Sequence, residues 1–409
     1  MKTIAIIGTL DTKGEEVKYI RDKLIKKGKK VIVIDVGIRG EPIGITQPDI
    51  TREEIARAAG STIEKLQKML RGPAIEIMMK GVEKIVKKAY DDGRIDGIIA
   101  VGGAEGSLLA AAGMKTLPIG IPKFLISSAA SGNQTFGPYV GTKDVIVMHS
   151  VVDILGINEV SKKIFDNAIA AINGMVDENV GIDIKSKNLI GATMYGNTTP
   201  LVMKAKKILE KEGYEVVVFN PYPTGGKNFE ELIQQNYFVG LLDVTLQNIT
   251  ADLLGGVAHP PGEAKNRLEA GAKAGIPQVI VPGCVDMIEF GEPSSVPRKY
   301  KKRKMYQHNP FVTVVRTSKE EMKKLGKVIS KKLNKSVGPT VLLFPLRGLS
   351  MYNKKGLPLY DPEADAELLK SLKNNLDPKI KLIEVDAHIN DDEFAEKCAS
   401  TLIDLLRKR

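Results

Sequence analysis

Tryptophan is absent from the 409-residue chain and cysteine nearly so: Cys284 and Cys398 stand far apart, with no Cys-x-x-Cys spacing. That excludes a disulfide framework and a thiolate zinc site, and two buried thiols are expected. Histidine is equally scarce. There are four, none within four residues of another, so a helical His-x-x-x-His metal pair is excluded. Aromatic residues make up only 5%, too few for the stacking platforms that hold single-stranded nucleic acid, which is not an expected partner. No apolar run is long enough to cross a bilayer, and Met1-Lys2-Thr3 leads straight into a strand without the regions of a secretory leader. A cytoplasmic protein without a membrane partner is expected.

Charge, by contrast, is abundant. Sixty Lys and Arg face 49 Asp and Glu, for a net charge of +11. Most of the lysines lie on helix faces such as Lys23-Lys26-Lys27, where solvation explains them. The length suggests two or three domains.

The chain is organised around Lys2 to Asp35. Thr3 to Ile7 reads as a strand buried on both faces, because a run of apolar residues leaves no side for water. The loop Gly8-Thr9-Leu10-Asp11-Thr12-Lys13-Gly14 follows, then an amphipathic helix to Lys27, a stop at Gly28 and a second strand, Val31 to Ile34, ending at Asp35. Thr12 with Glu15 has the spacing of a capping box. Free N–H groups and the helix dipole favour an anion at such a junction, with Lys13 adding charge. The loop matches neither G-x-G-x-x-G nor G-x-x-x-x-G-K-[ST], and a plain capped turn explains the same residues.

Strands and helices alternate throughout, including the strand Gly97 to Val101 with its loop Gly102-Gly103-Ala104-Glu105-Gly106-Ser107 and the strand Lys123 to Ser127 with a small-residue loop after it. This implies an α/β fold of two Rossmann-like domains with doubly wound, mostly parallel sheets. Polar residues at Gly181 to Asn188 suggest a boundary, giving an N-terminal nucleotide-binding domain over 1–182 and a C-terminal domain over 188–409. The halves look related by an internal repeat. Leu189 to Ala192 aligns with Ile4 to Ile7, Gly213 with Gly28, and Val216 to Phe219 with Val31 to Ile34, all at one spacing; Ala274 to Val281 also matches Ile119 to Ile126.

Several motifs together carry a resemblance. Gly8 to Gly14, Leu117-Pro118-Ile119-Gly120-Ile121-Pro122-Lys123, His149-Ser150-Val151-Val152-Asp153, Gly283-Cys284-Val285-Asp286-Met287 and His308-Asn309-Pro310 resemble a family of uncharacterised bacterial and archaeal proteins. That family is typified by the N-terminal domain of the tomato mosaic virus resistance protein, and the matches run to His388-Ile389-Asn390-Asp391. The resemblance implies two α/β subdomains, ATP binding by the first, and self-association into a homo-oligomer. One loop departs from it: where the family has a sequence like Gly-Gly-Ser-Gly-Gly-Thr, this chain has Gly-Gly-Ala-Glu-Gly-Ser. Glu105 brings a negative charge toward the expected phosphates.

In a doubly wound domain the loops after the first and third strands face one crevice. Thr9, Asp11, Thr12 and Lys13 are therefore candidate nucleotide contacts together with Gly102, Gly103, Gly106 and Ser107, and Ser128 and Gly132 are a third contribution. Asp35 is a candidate ribose ligand and Asp11 a magnesium ligand through water, with strand-end solvation and helix-start stabilisation as their ordinary readings. In the second domain Asp286 and His308 are the candidate catalytic pair, with Asp243 a further acid at a strand end. The expected protein binds ATP with magnesium and is an enzyme acting on a small anionic metabolite in the cleft between the domains. A nucleotide-binding regulatory or interaction module without turnover is the competing class.

Overall fold

The computed structural model describes residues 1–131, 137–178, 188–222, 224–256, 262 and 264–408. The chain divides into two compact units, Met1–Ile182 and Asp183–Arg409; residues 179–187, where the sequence places the boundary, lie outside the described residues.

In the first unit, five strands form one parallel sheet: β1 (Thr3–Gly8), β2 (Lys30–Asp35), β3 (Gly97–Gly102), β4 (Lys123–Ser127) and β5 (Ile146–His149), in the order β2-β1-β3-β4-β5. Alternate residues of β1 feed two separate cores, as strand geometry requires. Ala5 and Ile7 pack with α2 (Arg52–Ala58), α4 (Arg71–Asp91) and α5 (Ala104–Met114), while Ile4 and Ile6 pack with α1 (Leu10–Lys26) and α7 (Glu159–Asp177). Short helices α3 (Ile63–Lys68) and α6 (Gly137–Val140) complete the unit. The capping box of Thr51 and Glu54 forms as its spacing predicts.

The Thr12–Glu15 box does not form. Helix α1 starts earlier, with Thr9 as its N-cap, and Lys13 leaves helical geometry at φ −126°, ψ 19°. The Ile43 N–H donates to the Leu10 carbonyl at 2.9 Å, taking the acceptor that the helix would use one turn on. That intrusion kinks the first turn. It also needs a glycine at position 14, where a Cβ would stand 1.8 Å from the Ile43 carbonyl oxygen.

The second unit repeats the topology. Its parallel sheet contains β6 (Leu189–Thr193), β7 (Glu215–Phe219), β8 (Gly240–Asp243), β9 (Gln278–Ile280), β13 (Thr340–Pro345) and β14 (Lys381–Val385). The order β7-β6-β8-β9-β13-β14 matches the first sheet strand for strand and adds one more. Helices α8 (Thr199–Lys211) and α14 (Asp392–Arg407) cover one face, and α9 (Gly225–Gln234), α12 (Lys319–Leu333) and α13 (Pro362–Asn375) the other. Helices α10 (Gln247–Leu254) and α11 (Glu269–Ala274) connect strands. Cys284 and Cys398 are both buried free thiols.

Register corrects the repeat by one residue. Ile4 pairs with Val31 and Gly97, and Ile190 pairs with Val216 and Gly240. Ile190, not Leu189, therefore stands where Ile4 does. A second correction is an antiparallel sheet of β10 (Met287–Phe290), β12 (Val312–Arg316) and β11 (Met305–Asn309), set between β9 and β13 where the sequence reads largely as loop. The basic stretch Arg298-Lys299-Tyr300-Lys301-Lys302-Arg303-Lys304 is held against it: Arg303 forks onto Glu321 at 2.6 and 3.1 Å, and Lys299 and Arg303 each lie 4.6 Å from the Tyr300 ring centre.

Two glycine substitutions test the packing. Gly14→Ala should destabilise the protein by about 1–3 kcal/mol or more, because backbone must move. Gly174→Ala in α7, with nothing near its added Cβ, should stabilise by about 0.5–1 kcal/mol. Denaturant titration of both variants checks the contrast.

Candidate functional site

The chain leaves β1 for β2 on one side and returns to β3 on the other, so the loops after β1 and β3 part at their carboxyl ends. A cavity of about 480 Å³ opens there. Thr9, Asp11, Thr12 and Lys13 line it from the first loop, and Gly103, Ala104, Glu105 and Gly106 from the second. Val36, Ile38 and Leu109 give it apolar wall. The N-cap residues Thr9 of α1 and Gly103 of α5 make no side-chain cap bond, and the positive dipole ends of both helices lie at the cavity. At Gly102 a Cβ would come within 2.8 Å of Gly106, and only glycine permits this tight passage from strand to helix.

Two arginines complete the lining, Arg39 after β2 and Arg71 at the start of α4. Arg39 is anchored by the Gln67 carbonyl and, at 3.0 Å, by that of Met69. Arg71 pairs with Glu105, which resolves the charge that looked unfavourable in the glycine loop: the carboxylate is matched by a cation from another helix. With Lys13 the lining holds three cations against the carboxylates of Asp11 and Glu105. Neither arginine is anticipated by the sequence. A usable signal was the basic residue opening α4, since a cation at a helix N-terminus opposes the dipole.

The other candidates fall into different places. Asp11 accepts the N–H groups of Arg39 and Gly40 at 3.1 Å each through Oδ2. Lys13 Nζ donates to the Ile154 carbonyl. Asp35 lies beneath the cavity, 1% exposed, and its Oδ1 accepts from Leu10 N–H at 3.0 Å and Gly37 N–H at 2.8 Å; burial pushes its carboxyl above the ordinary range. Ser107 is buried as well, bonded to Ser127 Oγ at 2.7 Å. Ser128 donates its N–H to the Gly102 carbonyl at 3.3 Å and abuts Gly103. Gly132 lies outside the described residues.

In the second unit the structure does not bring Asp286 and His308 together. Asp286 is fully buried, accepting from Ser350 Oγ at 2.7 Å, and lines no described cavity. His308 is exposed on β11, with Nδ1 2.6 Å from the Tyr352 hydroxyl, beside a separate cavity that also holds Glu289. Asp243 belongs to a buried network: Arg267 reaches Asp243 and Glu230 at 2.8 Å each, and Thr193 donates to Asp243 at 2.7 Å. No group of three metal-ligating side chains occurs among the described residues, and no described helix is long and apolar enough to cross a membrane.

The structure is thus a duplicated Rossmann-like α/β protein with a glycine-lined, net cationic cavity at the switch point of its first sheet. It belongs to the Uncharacterised protein family (UPF0261): residues 2–180 match the family's N-terminal domain and 187–406 its C-terminal domain. A UPF0261 protein of Clostridium tetani is 45% identical over the full length of both chains. The ToMV resistance protein Tm-1(GCR237) of Solanum lycopersicum is 34% identical over 98% of this chain, which spans 55% of that protein. A solved UDP-GlcNAc 2-epimerase from Neisseria meningitidis, bound to UDP-GlcNAc, covers 92% of this chain and 100% of its own at 9% identity and a TM-score of 0.25, too low to carry an argument.

Arg267 is 2% exposed between two carboxylates, and burial already raises the Glu230 carboxyl above its ordinary range in spite of the pairing. Arg267→Met should cost about 3–5 kcal/mol at pH 7, because it strands buried charge. Without the guanidinium, the Glu230 carboxyl shifts further upward, so its protonation relieves the strain and the deficit shrinks as pH falls toward 5. Denaturant titrations at the two pH values measure this.

Proposed function

We propose that the first unit binds a nucleotide, ATP with magnesium, and that the chain is an enzyme using it on a small anionic metabolite. The observation that supports this is the convergence of two helix starts on one cavity that also holds Lys13, Arg39 and Arg71. N–H groups at helix ends suit phosphate oxygens, and the glycines let backbone approach them. Lysine has three donors, so Lys13 can serve a phosphate while keeping its bond to Ile154. Asp11 Oδ1 accepts only a long bond, 3.4 Å from the Thr12 hydroxyl, and would hold magnesium through water. Arg39 and Arg71 supply more positive charge than Glu105 offsets, which favours an anionic second substrate. Turnover separates this from a regulatory module that binds the nucleotide alone.

Self-association belongs to the same reading. Strand β5 ends its sheet, and Val151 and Leu155 just beyond it are 68% and 78% exposed. An open edge beside exposed apolar residues is a surface that a second copy would cover. Sedimentation equilibrium tests it.

Calorimetric titration with ATP and with adenosine, with and without magnesium, tests the site. Lys13→Ala removes a charge-assisted contact of roughly 1.5–3 kcal/mol, so ATP affinity should fall about ten- to a hundredfold while adenosine affinity barely changes. Equal loss for both ligands would indicate a folding defect. Undiminished ATP binding by Lys13→Ala would move the phosphates to Arg39 and Arg71, and absence of ATP binding in the parent would refute the reading.

A further inference from the structure

The duplicated fold carries a second cavity of opposite electrostatic character. Counting from the register equivalence, Tyr195 stands at the place of Thr9, Asn197 at that of Asp11, and Thr198 at that of Thr12; Thr245, Leu246 and Ile249 replace Gly102, Gly103 and Gly106. These side chains fill the crevice that is open in the first unit. Thr198 and Thr245 hydroxyls bond across it at 2.8 Å, so no phosphate-sized opening faces the helix starts. The loop after β6 instead turns Tyr195 and Asn197 toward a cavity of about 310 Å³, whose wall is completed by Glu289 of β10, His308 of β11 and Tyr352.

The polar groups there mainly accept hydrogen bonds. Glu289 is 6% exposed, and among the described residues no lysine or arginine pairs with it. Its Oε1 accepts from the Tyr195 hydroxyl at 2.7 Å. Burial raises the carboxyl, against the lowering effects of Tyr195 and His308. Asn197 is 7% exposed, and its Nδ2 faces the Met287 sulfur at 3.9 Å while Oδ1 has no partner. The wall also includes Met351, Val314 and Tyr352, whose ring meets that of Tyr306 at a tilt with centres 4.8 Å apart. No lysine or arginine lines the cavity.

An anion would meet a buried carboxyl with no compensating lysine or arginine. A neutral polyol would leave that carboxylate buried with no lysine or arginine to balance it, or force it to stay protonated. A cation satisfies both the carboxylate and the free amide oxygen, and the tyrosine faces attract it further. We propose that this cavity binds a small organic ammonium compound, its charged nitrogen against Glu289 and Asn197 Oδ1, beside the Tyr195 and Tyr352 rings. The inference does not depend on the nucleotide proposal, since every residue it uses lies in the second unit.

The test is calorimetric titration of the full chain, at constant ionic strength, with ethanolamine, choline and benzylamine. Ethylene glycol, dimethylbutanol and benzyl alcohol serve as uncharged counterparts and acetate as the anion. At least one amine should bind, with its counterpart weaker by about tenfold or more, as expected for loss of a charge-assisted contact. Glu289→Gln keeps the side-chain shape and an acceptor for Tyr195, and should abolish that preference while melting cooperatively like the parent. Asn197→Ala should weaken the same amine without favouring its counterpart. The proposal is overturned if no amine binds at tens of millimolar, if counterparts bind equally, if acetate binds more tightly, or if Glu289→Gln binds the amine like the parent.

Discussion

The central parallel strands of this protein, β1, β3, β6 and β8, end in the interior and must pass the chain to a helix without leaving backbone N–H and C=O groups unpaired. How each unit meets that constraint decides what it presents at the switch point. In the first unit the buried Asp35 carboxylate takes the Leu10 and Gly37 N–H groups, and Asp11 takes those of Arg39 and Gly40. The Thr12 and Lys13 N–H groups fold back onto the Thr9 carbonyl, and the α5 start carries no side-chain cap. In the second unit threonines do the work locally: Thr198 Oγ1 accepts from Tyr195 N–H at 3.1 Å and Thr193 Oγ1 from Thr245 N–H at 3.1 Å. Junctions satisfied from within need no ligand, and the crevice closes.

Duplication therefore preserved the scaffold and let the two ligand positions diverge. The sheets share strand order and pairing register, which are held by cores on both faces. A one-residue slip would exchange the side chains of those cores, so register resists change. Loops at the carboxyl ends carry no such penalty. Replacing three glycines by Thr245, Leu246 and Ile249 exchanged an open anion-facing crater for a packed seam, and the antiparallel insertion supplied a new wall with Glu289 and His308 on it.

Much of the architecture was legible because it rests on local, periodic signals. Apolar runs such as Ile4 to Ile7 and Val31 to Ile34 can satisfy their patterning only as strands buried on both faces, and Gly28 and Gly213, at φ +78° and +85°, end helices where the sequence suggests. The Thr12–Glu15 spacing misled because the competing donor, the intruding Ile43 N–H, comes from thirty-odd residues away. Within the insertion the apolar Val312 to Arg316 reads as a strand, but its antiparallel partner β11, Met305–Asn309, is mostly exposed and carries no alternation of apolar residues to announce it.

The sequence by itself determined the α/β class, the repeat and the loops of the first site, since propensity, capping and burial patterns act between near neighbours along the chain. Only the tertiary structure decided which charges meet. Arg71 against Glu105, Arg267 between Glu230 and Asp243, and Tyr195 against Glu289 each join residues from separate elements. The energy of such a pairing depends on distance and burial in three dimensions, and neither is encoded in spacing along the chain.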